Sequence, residues 1–196
     1  MPPSDHMVRA YAFGYAEDMD TVAFLVSKEG IEQAELTEPW AAVEKAGGRP
    51  QLISMEAGTV QGFNHLTPAD TFRVDQTVVE ADPSSFDGLV LPGGVANGDL
   101  LRWQRPAQTF LRGYLQTGKP VAVICHGGWI LIEVDAVDAR RITSWPSMAT
   151  DYRNAGAEWV DEQLVVDTNG PFTLISSRKP DDLPAFCQEL VGQFNK

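Results

Sequence analysis

Cys125 and His126 stand side by side in VAVICHGGW, residues 121–129. A thiolate attacks electrophilic carbon, and a neighbouring base can take its proton, so this pair suits nucleophilic catalysis. An apolar run of strand character, VAVI, ends at the cysteine, and an apolar helix, WILIEV, is expected three residues later, after HGG. A strand, a nucleophile and a sharp glycine-bearing turn into a helix make a nucleophile elbow. The carboxyl ends of strands are also where α/β sheets bind ligands. Unpaired amides at the start of the following helix favour thiolate over thiol, so the pattern predicts a lowered Cys125 pKa. A thiol of that kind also oxidises to sulfenic and sulfinic acid, which keeps a redox role open beside catalysis. The other cysteine, Cys187, falls on the apolar stripe of a helix and reads as a small hydrophobe.

Two further segments gain weight from that cysteine. LVLPGGVANGD, residues 89–99, is a second apolar run ending in a double-glycine turn. A glycine pair alone merely closes a strand-to-helix connection. At an adjacent strand end, its amides and those after Cys125 could together form an oxyanion hole. EGIEQAEL, residues 29–36, follows the first strand. Its Glu32 and Glu35 are spaced to share a helix face, from which either could reach a pocket at the strand end. Without a cysteine nearby, both would be read as first-turn acids that favour the helix dipole.

Runs of strand length recur at 21–26, 50–55, 88–93, 120–125, 163–167 and 172–177. Several are continuously apolar, as in a parallel sheet buried on both faces. Helical stripes lie between them: 32–46 with a Gly47-Gly48 stop, 106–118 opening on Pro106, and a last helix after Pro180 ending near Phe194. The alternation predicts a three-layer α/β sandwich with right-handed crossovers. Residues 56–82 are polar and strand-like and read as a short hairpin or edge excursion. Residues 1–20 read as an N-terminal arm, available for an interface, before one domain over 21–196.

The 196 residues suffice for one domain with a substantial core. A net charge of −12 repels phosphate backbones and anionic membranes, so nucleic acid and membrane are poor partners. No stretch has the length of a membrane span. With two cysteines in a chain of this size, free thiols in a reducing, cytoplasmic setting are expected rather than a disulfide. No cofactor or metal is called for.

Taken in order, GIEQAEL, GFNHLTPADTFRVDQTV, FDGLVLPGGVAN, GKPVAVICHGGW, TSWPS, NAGAEWVD and SSRKPDDLPAF resemble the PfpI-type intracellular protease family. That family lies within the ThiJ/PfpI superfamily, which also holds the parkinsonism-associated deglycase. The resemblance covers about residues 21–194. It implies a flavodoxin-like sandwich with a mainly parallel sheet, paired into homodimers and in some members hexamers. It further implies Cys125 as the elbow nucleophile, His126 as its adjacent partner and Glu35 as a buried glutamate bonded to the thiol, with Glu32 a weaker candidate. The amides of Gly94 and His126 match the oxyanion hole, with Gly93 and Gly127 as flanking backbone.

The implied function is a cysteine-dependent stress-response hydrolase acting on a small carbonyl or peptide substrate, as a deglycase, glyoxalase or peptidase. The alternatives are a redox-responsive stress protein whose Cys125 is oxidised, or a chaperone. The proton-transfer group is either His126 or Glu35; since neighbouring side chains at a strand end usually point apart, adjacency does not favour His126. The chain departs from the family pattern at three places. Gly128 stands where proline usually follows CHG, which is expected to loosen the turn. Asp99 is the nearest acid to the glutamate that in peptidase-like members reaches the histidine of the neighbouring subunit, but it is displaced by one residue and shorter. Trp145 replaces a histidine of the deglycase branch and makes the pocket wall more apolar.

Overall fold

Alternate residues of the first strand, β1 (Thr21–Leu25), enter opposite cores: Val22 and Phe24 on one side, Ala23 and Leu25 on the other. The computed structural model describes residues 20–194. After β1 the chain forms β2 (Glu29–Glu32), helix α1 (Gln33–Lys45), β3 (Arg49–Ser54), the hairpin β4 (Thr59–Asn64) and β5 (Thr67–Arg73), and β6 (Gln76–Thr77). Then come β7 (Gly88–Leu91), α2 (Val95–Arg102), α3 (Arg105–Leu115), β8 (Val121–Ile124), α4 (Trp129–Glu133) and β9 (Arg141–Ile142). The chain closes with α5 (Ala149–Asn154), β10 (Glu158–Trp159), β11 (Leu164–Asp167), β12 (Leu174–Ser177) and α6 (Leu183–Phe194).

The main sheet runs β11-β12-β8-β7-β1-β3-β6, parallel throughout except for β11. On one face α1 and α6 contribute Leu36, Val43, Phe186 and Leu190 to a core with Phe24, Val90 and Ile124. On the other, α2 to α5 contribute Leu101, Phe110, Leu131 and Tyr152 to a core with Leu89, Leu91 and Val123. Each fully buried leucine or phenylalanine contributes about 1.5–3 kcal/mol, so strands buried on both faces hold the sandwich together. From β1 the chain crosses to β3 on one side and returns to β7 on the other. The β1/β7 crevice is therefore the switch point at which α/β sheets bind ligands.

The expected strands and the three long helices are present. Gly47 takes φ +89°, and the amides of Gly47 and Gly48 bond the carbonyls of Glu44 and Val43, so the predicted stop is a Schellman cap. Four features differ from the sequence reading. Glu29–Glu32 is a strand, and Glu32 is the extended N-cap of α1 (φ −64°, ψ 111°), so Glu32 and Glu35 do not share a helix face. The reason is pairing: β2 lies parallel to β4, which a helical start would forbid. The β4–β5 hairpin forms a separate three-stranded sheet with β2, while β6 extends the main sheet. The double-glycine turn opens directly into α2. Helix α5 had no reading in the sequence. The N-terminal arm, apart from Asp20, lies outside the described residues.

Candidate active site

Cys125 directly follows β8 with φ +59°, in the left-handed region that costs a residue with a Cβ about 1–2 kcal/mol. Its neighbours hold that conformation. The Cys125 amide donates to the Ser177 carbonyl (3.1 Å), and the Cys125 carbonyl accepts from the Trp145 amide (3.4 Å). The alternation of side chains assumed for a strand requires extended backbone, and at Cys125 it breaks. The result overturns the expectation that His126 points away: His126 Nδ1 lies 3.2 Å from Cys125 Sγ, and His126 Nε2 lies 3.3 Å from Ser147 Oγ. Trp129 and Trp145 flank the imidazole, with ring centroids 5.0 and 5.9 Å away.

The double-glycine loop after β7 is held against the thiol from three sides. Asn97, fully buried, donates from Nδ2 to the Pro92 and Gly93 carbonyls (2.9 and 3.1 Å) and accepts from the Ser27 amide at Oδ1 (2.8 Å). It thereby ties the ends of β1 and β7 together. The Glu32 amide donates to the Gly93 carbonyl (3.2 Å), fixing the start of α1 to the same loop. Gly94 takes φ +97°, and a Cβ there would stand 2.0 Å from the Gly30 carbonyl oxygen, so only glycine brings its amide to the thiol. The amides of Gly94 and His126 both act on Cys125 Sγ. Gly93 gives close approach, since a Cβ on it would meet Glu35 Oε2 and Cys125 Cβ. The Gly127 amide is committed to the Ile124 carbonyl (3.0 Å), which removes it from the candidate oxyanion donors; Gly127 instead packs on the Leu91 and Pro92 carbonyls.

Glu35 is fully buried in the first turn of α1. Neither carboxyl oxygen closes a hydrogen bond of good geometry, although the Cys125 thiol and Gly93 amide lie near enough to act on it. Burial, and then the charge of Glu32, push its pKa up to about 8, against the pull of those two neighbours. Burial also pushes the His126 pKa down to about 4. The Cys125 thiol, contrary to expectation, is pushed up, first by burial and then by the negative charge of an ionised Glu35; the Gly94 and His126 amides oppose this. The helix that was to lower it, α4, is a short five-residue turn whose effect burial outweighs.

These groups open into a cleft of about 910 Å³, whose lining includes Phe63, Leu66, Val95, Asp99, Trp129 and Trp145. Glu32 lines it too, and its Oε2 accepts from the His65 amide (3.1 Å) at the hairpin tip. Asp99 lies exposed on the wall and makes no hydrogen bond to His126 within the chain. Cys187 is half-buried on α6, and burial raises its pKa to about 11, as a packing residue allows. Ser147, Asn97 and His65 were not singled out in the sequence. Asn97 stood inside the quoted LPGGVANGD, but nothing local marks an asparagine as a buried staple.

The sequence profile of the DJ-1/PfpI family matches residues 20–193. The chain belongs to the DJ-1/PfpI family. Within the DJ-1/PfpI family it is similar to protein/nucleic acid deglycase 2 of Escherichia coli (strain K12), at 39% identity over 87% of this chain and 95% of that protein. A relative from Bacillus subtilis (strain 168) carrying a cysteine protease name is 36% identical over 87% of this chain and 96% of its own. A crystal structure of a two-domain DJ-1/ThiJ/PfpI-like and ferritin-like protein from Anabaena variabilis superposes with a TM-score of 0.82 at 31% identity. That match covers 90% of this chain, which spans about half (48%) of the two-domain protein. The mainly parallel sandwich is thus the DJ-1/ThiJ flavodoxin-like fold. Among the described residues no cluster of His, Cys, Asp or Glu is arranged to hold a metal, and no helix is long and apolar enough to cross a membrane.

Proposed function

We propose that this protein is a cysteine hydrolase of the deglycase type, acting on electrophilic carbonyls through Cys125 at a nucleophile elbow. One observation carries the reading: a thiol at a strained strand end, 3.2 Å from a neutral imidazole, beside a buried carboxyl and facing two backbone amides. His126 Nδ1 takes the thiol proton as Sγ adds to the carbonyl carbon, and the carbonyl π pair moves onto oxygen opposite the Gly94 and His126 amides. With an amide, His126 returns the proton to the leaving amine as the C–N bond breaks, and water releases the acyl group from sulfur. With a 2-oxoaldehyde, His126 returns the proton to the oxyanion, the hemithioacetal C–H proton moves to the neighbouring carbonyl carbon through an enediol, and water hydrolyses the resulting α-hydroxy thioester. Glu35, protonated near neutrality, presents an O–H to the sulfur and keeps a second negative charge out of the site. The family names of the relatives support hydrolysis; a peptidase triad draws less support, because His126 Nε2 faces Ser147 rather than Asp99.

A redox role draws less support from this site, since the thiol is 7% exposed and held in its protonated form. The same proposal makes the protein a cytoplasmic homodimer, alone or within a larger assembly. The test is turnover of methylglyoxal, glycated amino acids and peptides, with mass spectrometry of the intact chain. Cys125→Ala is expected to remove activity by about a thousandfold or more, and full activity of that variant on every substrate overturns the reading.

A further inference from the structure

We infer that the cleft selects carbonyl compounds bearing an apolar or aromatic substituent and no negative charge, and rejects carboxylated, phosphorylated and nucleotide substrates. The inference rests on Cys125 being the reacting group and adds the substrate class. Two independent features of the cleft carry it. Its walls are apolar: Phe63 and Leu66 from the hairpin, Val95 from α2, and Trp129 and Trp145 around His126. Leu66 is 93% exposed and Val95 59%, so the mouth holds apolar surface that a substrate substituent would cover. The Trp145 indole, 39% exposed and tilted 31° to the imidazole, offers a flat face beside His126.

Its charges all have one sign. Glu29, Glu32 and Asp99 line the cleft, and no lysine or arginine is found among the described lining residues. Three cations outside the lining each stand within ion-pair distance of an acid: Lys28 of Glu56 (3.6 Å), Lys179 of Asp181 (3.0 Å), and Arg102 Nε of Glu133 (2.9 Å). His65 Nδ1 lies 3.4 Å from Glu32 Oε2, and burial holds His126 neutral. An anion approaching Sγ therefore meets Glu29, Glu32 and Asp99 and no lining lysine or arginine, inside a cleft whose low-dielectric walls strengthen the repulsion.

Alkylation of Cys125 on the intact protein, followed by mass spectrometry, tests this without requiring turnover. Sγ forms the S–C bond as iodide leaves with its electron pair, and the thiol proton passes to His126. Relative to N-acetylcysteine, iodoacetamide is expected to outpace the near-isosteric iodoacetate at Cys125 by about tenfold, and salt at about 0.5 M to narrow that ratio. N-benzyl iodoacetamide is expected to react faster than iodoacetamide, and Trp145→Ala to remove that gain. A Glu29→Gln, Asp99→Asn double variant is expected to bring the iodoacetamide-to-iodoacetate ratio toward that of N-acetylcysteine. Equal relative rates for the two small reagents, or no gain from the benzyl group, overturn the inference. Phenylglyoxal and 4-carboxyphenylglyoxal separate it from the proposed function. Turnover of neither, with alkylation selective, overturns the hydrolase reading and upholds the charge selection; equal kcat/KM for both overturns the selection and upholds the hydrolase.

Discussion

Cys125, His126 and Glu35 rest in neutral forms, and burial is the common cause. Charge separates only when the thiol passes its proton to His126. Ionisation of Glu35 would place a negative charge beside the forming thiolate and remove the O–H that faces it. With His126 near 4 and Glu35 near 8, kcat/KM is expected to be flat between those values and to fall on both sides; Glu35→Gln is expected to abolish the alkaline fall alone. Stability follows the same group. The folded pKa of Glu35 lies above its ordinary 4.5, so its contribution is complete below that value and is lost as pH rises through about 8. Thermal denaturation should therefore show Glu35→Gln more stable than the parent by about 2 kcal/mol or more at pH 9 and nearly equal at pH 4. Ser147 works through His126, holding Nε2 so that Nδ1 faces sulfur. Steady-state kinetics of Ser147→Ala should show kcat about tenfold lower with KM little changed, because only the histidine tautomer and orientation are affected.

At the scale of elements, the turn after β8 is tighter than its Gly128 suggested. A Cβ on Gly128 would lie 1.8 Å from the Tyr152 hydroxyl, so α5 fills the space that the proline of the family pattern would need. The expectation of a loosened turn gives way to an exchange of one packing partner for another. The Tyr152 hydroxyl is buried without a hydrogen-bond partner, so Tyr152→Phe is expected to be neutral or to stabilise by about 1 kcal/mol. Gly128→Pro alone should destabilise by about 2 kcal/mol or more, and the double variant should recover most of that loss, as a denaturant-melt double-mutant cycle would reveal. The Asn97 staple joins β1, β7 and the double-glycine loop. Asn97→Leu leaves the Ser27 amide and the Pro92 carbonyl unpaired and the Gly93 carbonyl with the Glu32 amide alone, and urea denaturation should record a loss of about 3 kcal/mol together with lost activity.

At the scale of the whole molecule, a buried ion pair locks the β9 and β11 end of the sandwich. Arg140 Nε lies 3.3 Å from Asp167 Oδ1, Nη2 donates to the Asp167 and Phe172 carbonyls, and the guanidinium stacks 4.6 Å from the Phe172 ring. Burial alone would raise the Asp167 pKa, but the Asn169 and Arg141 amides and then Arg140 outweigh it and hold the pKa below the ordinary value. Its stabilisation is thus present at neutral pH and lost as pH falls through the carboxylate range. Arg140→Met strands that carboxylate and is expected to cost about 3–5 kcal/mol in a denaturant melt at pH 7. None of Arg140, Asp167 and Phe172 lines the Cys125 cleft, so kcat of the folded variant should be little changed.

Strand periodicity, helix stops and the cysteine between an apolar run and a glycine turn were legible in the chain, because each is a local preference of neighbouring residues. The order of layers followed from them, whereas Glu35 and Gly94 were set beside Cys125 by the family resemblance. Three things depended on contacts between distant segments: Glu32 became a strand end when β2 paired with β4, the left-handed backbone at Cys125 turned His126 toward the sulfur, and burial reversed the expected direction of the thiol pKa. Residue types and their spacing determine which groups can meet; desolvation and backbone direction at the meeting point are properties of the packed whole, and these set the protonation states on which the chemistry depends.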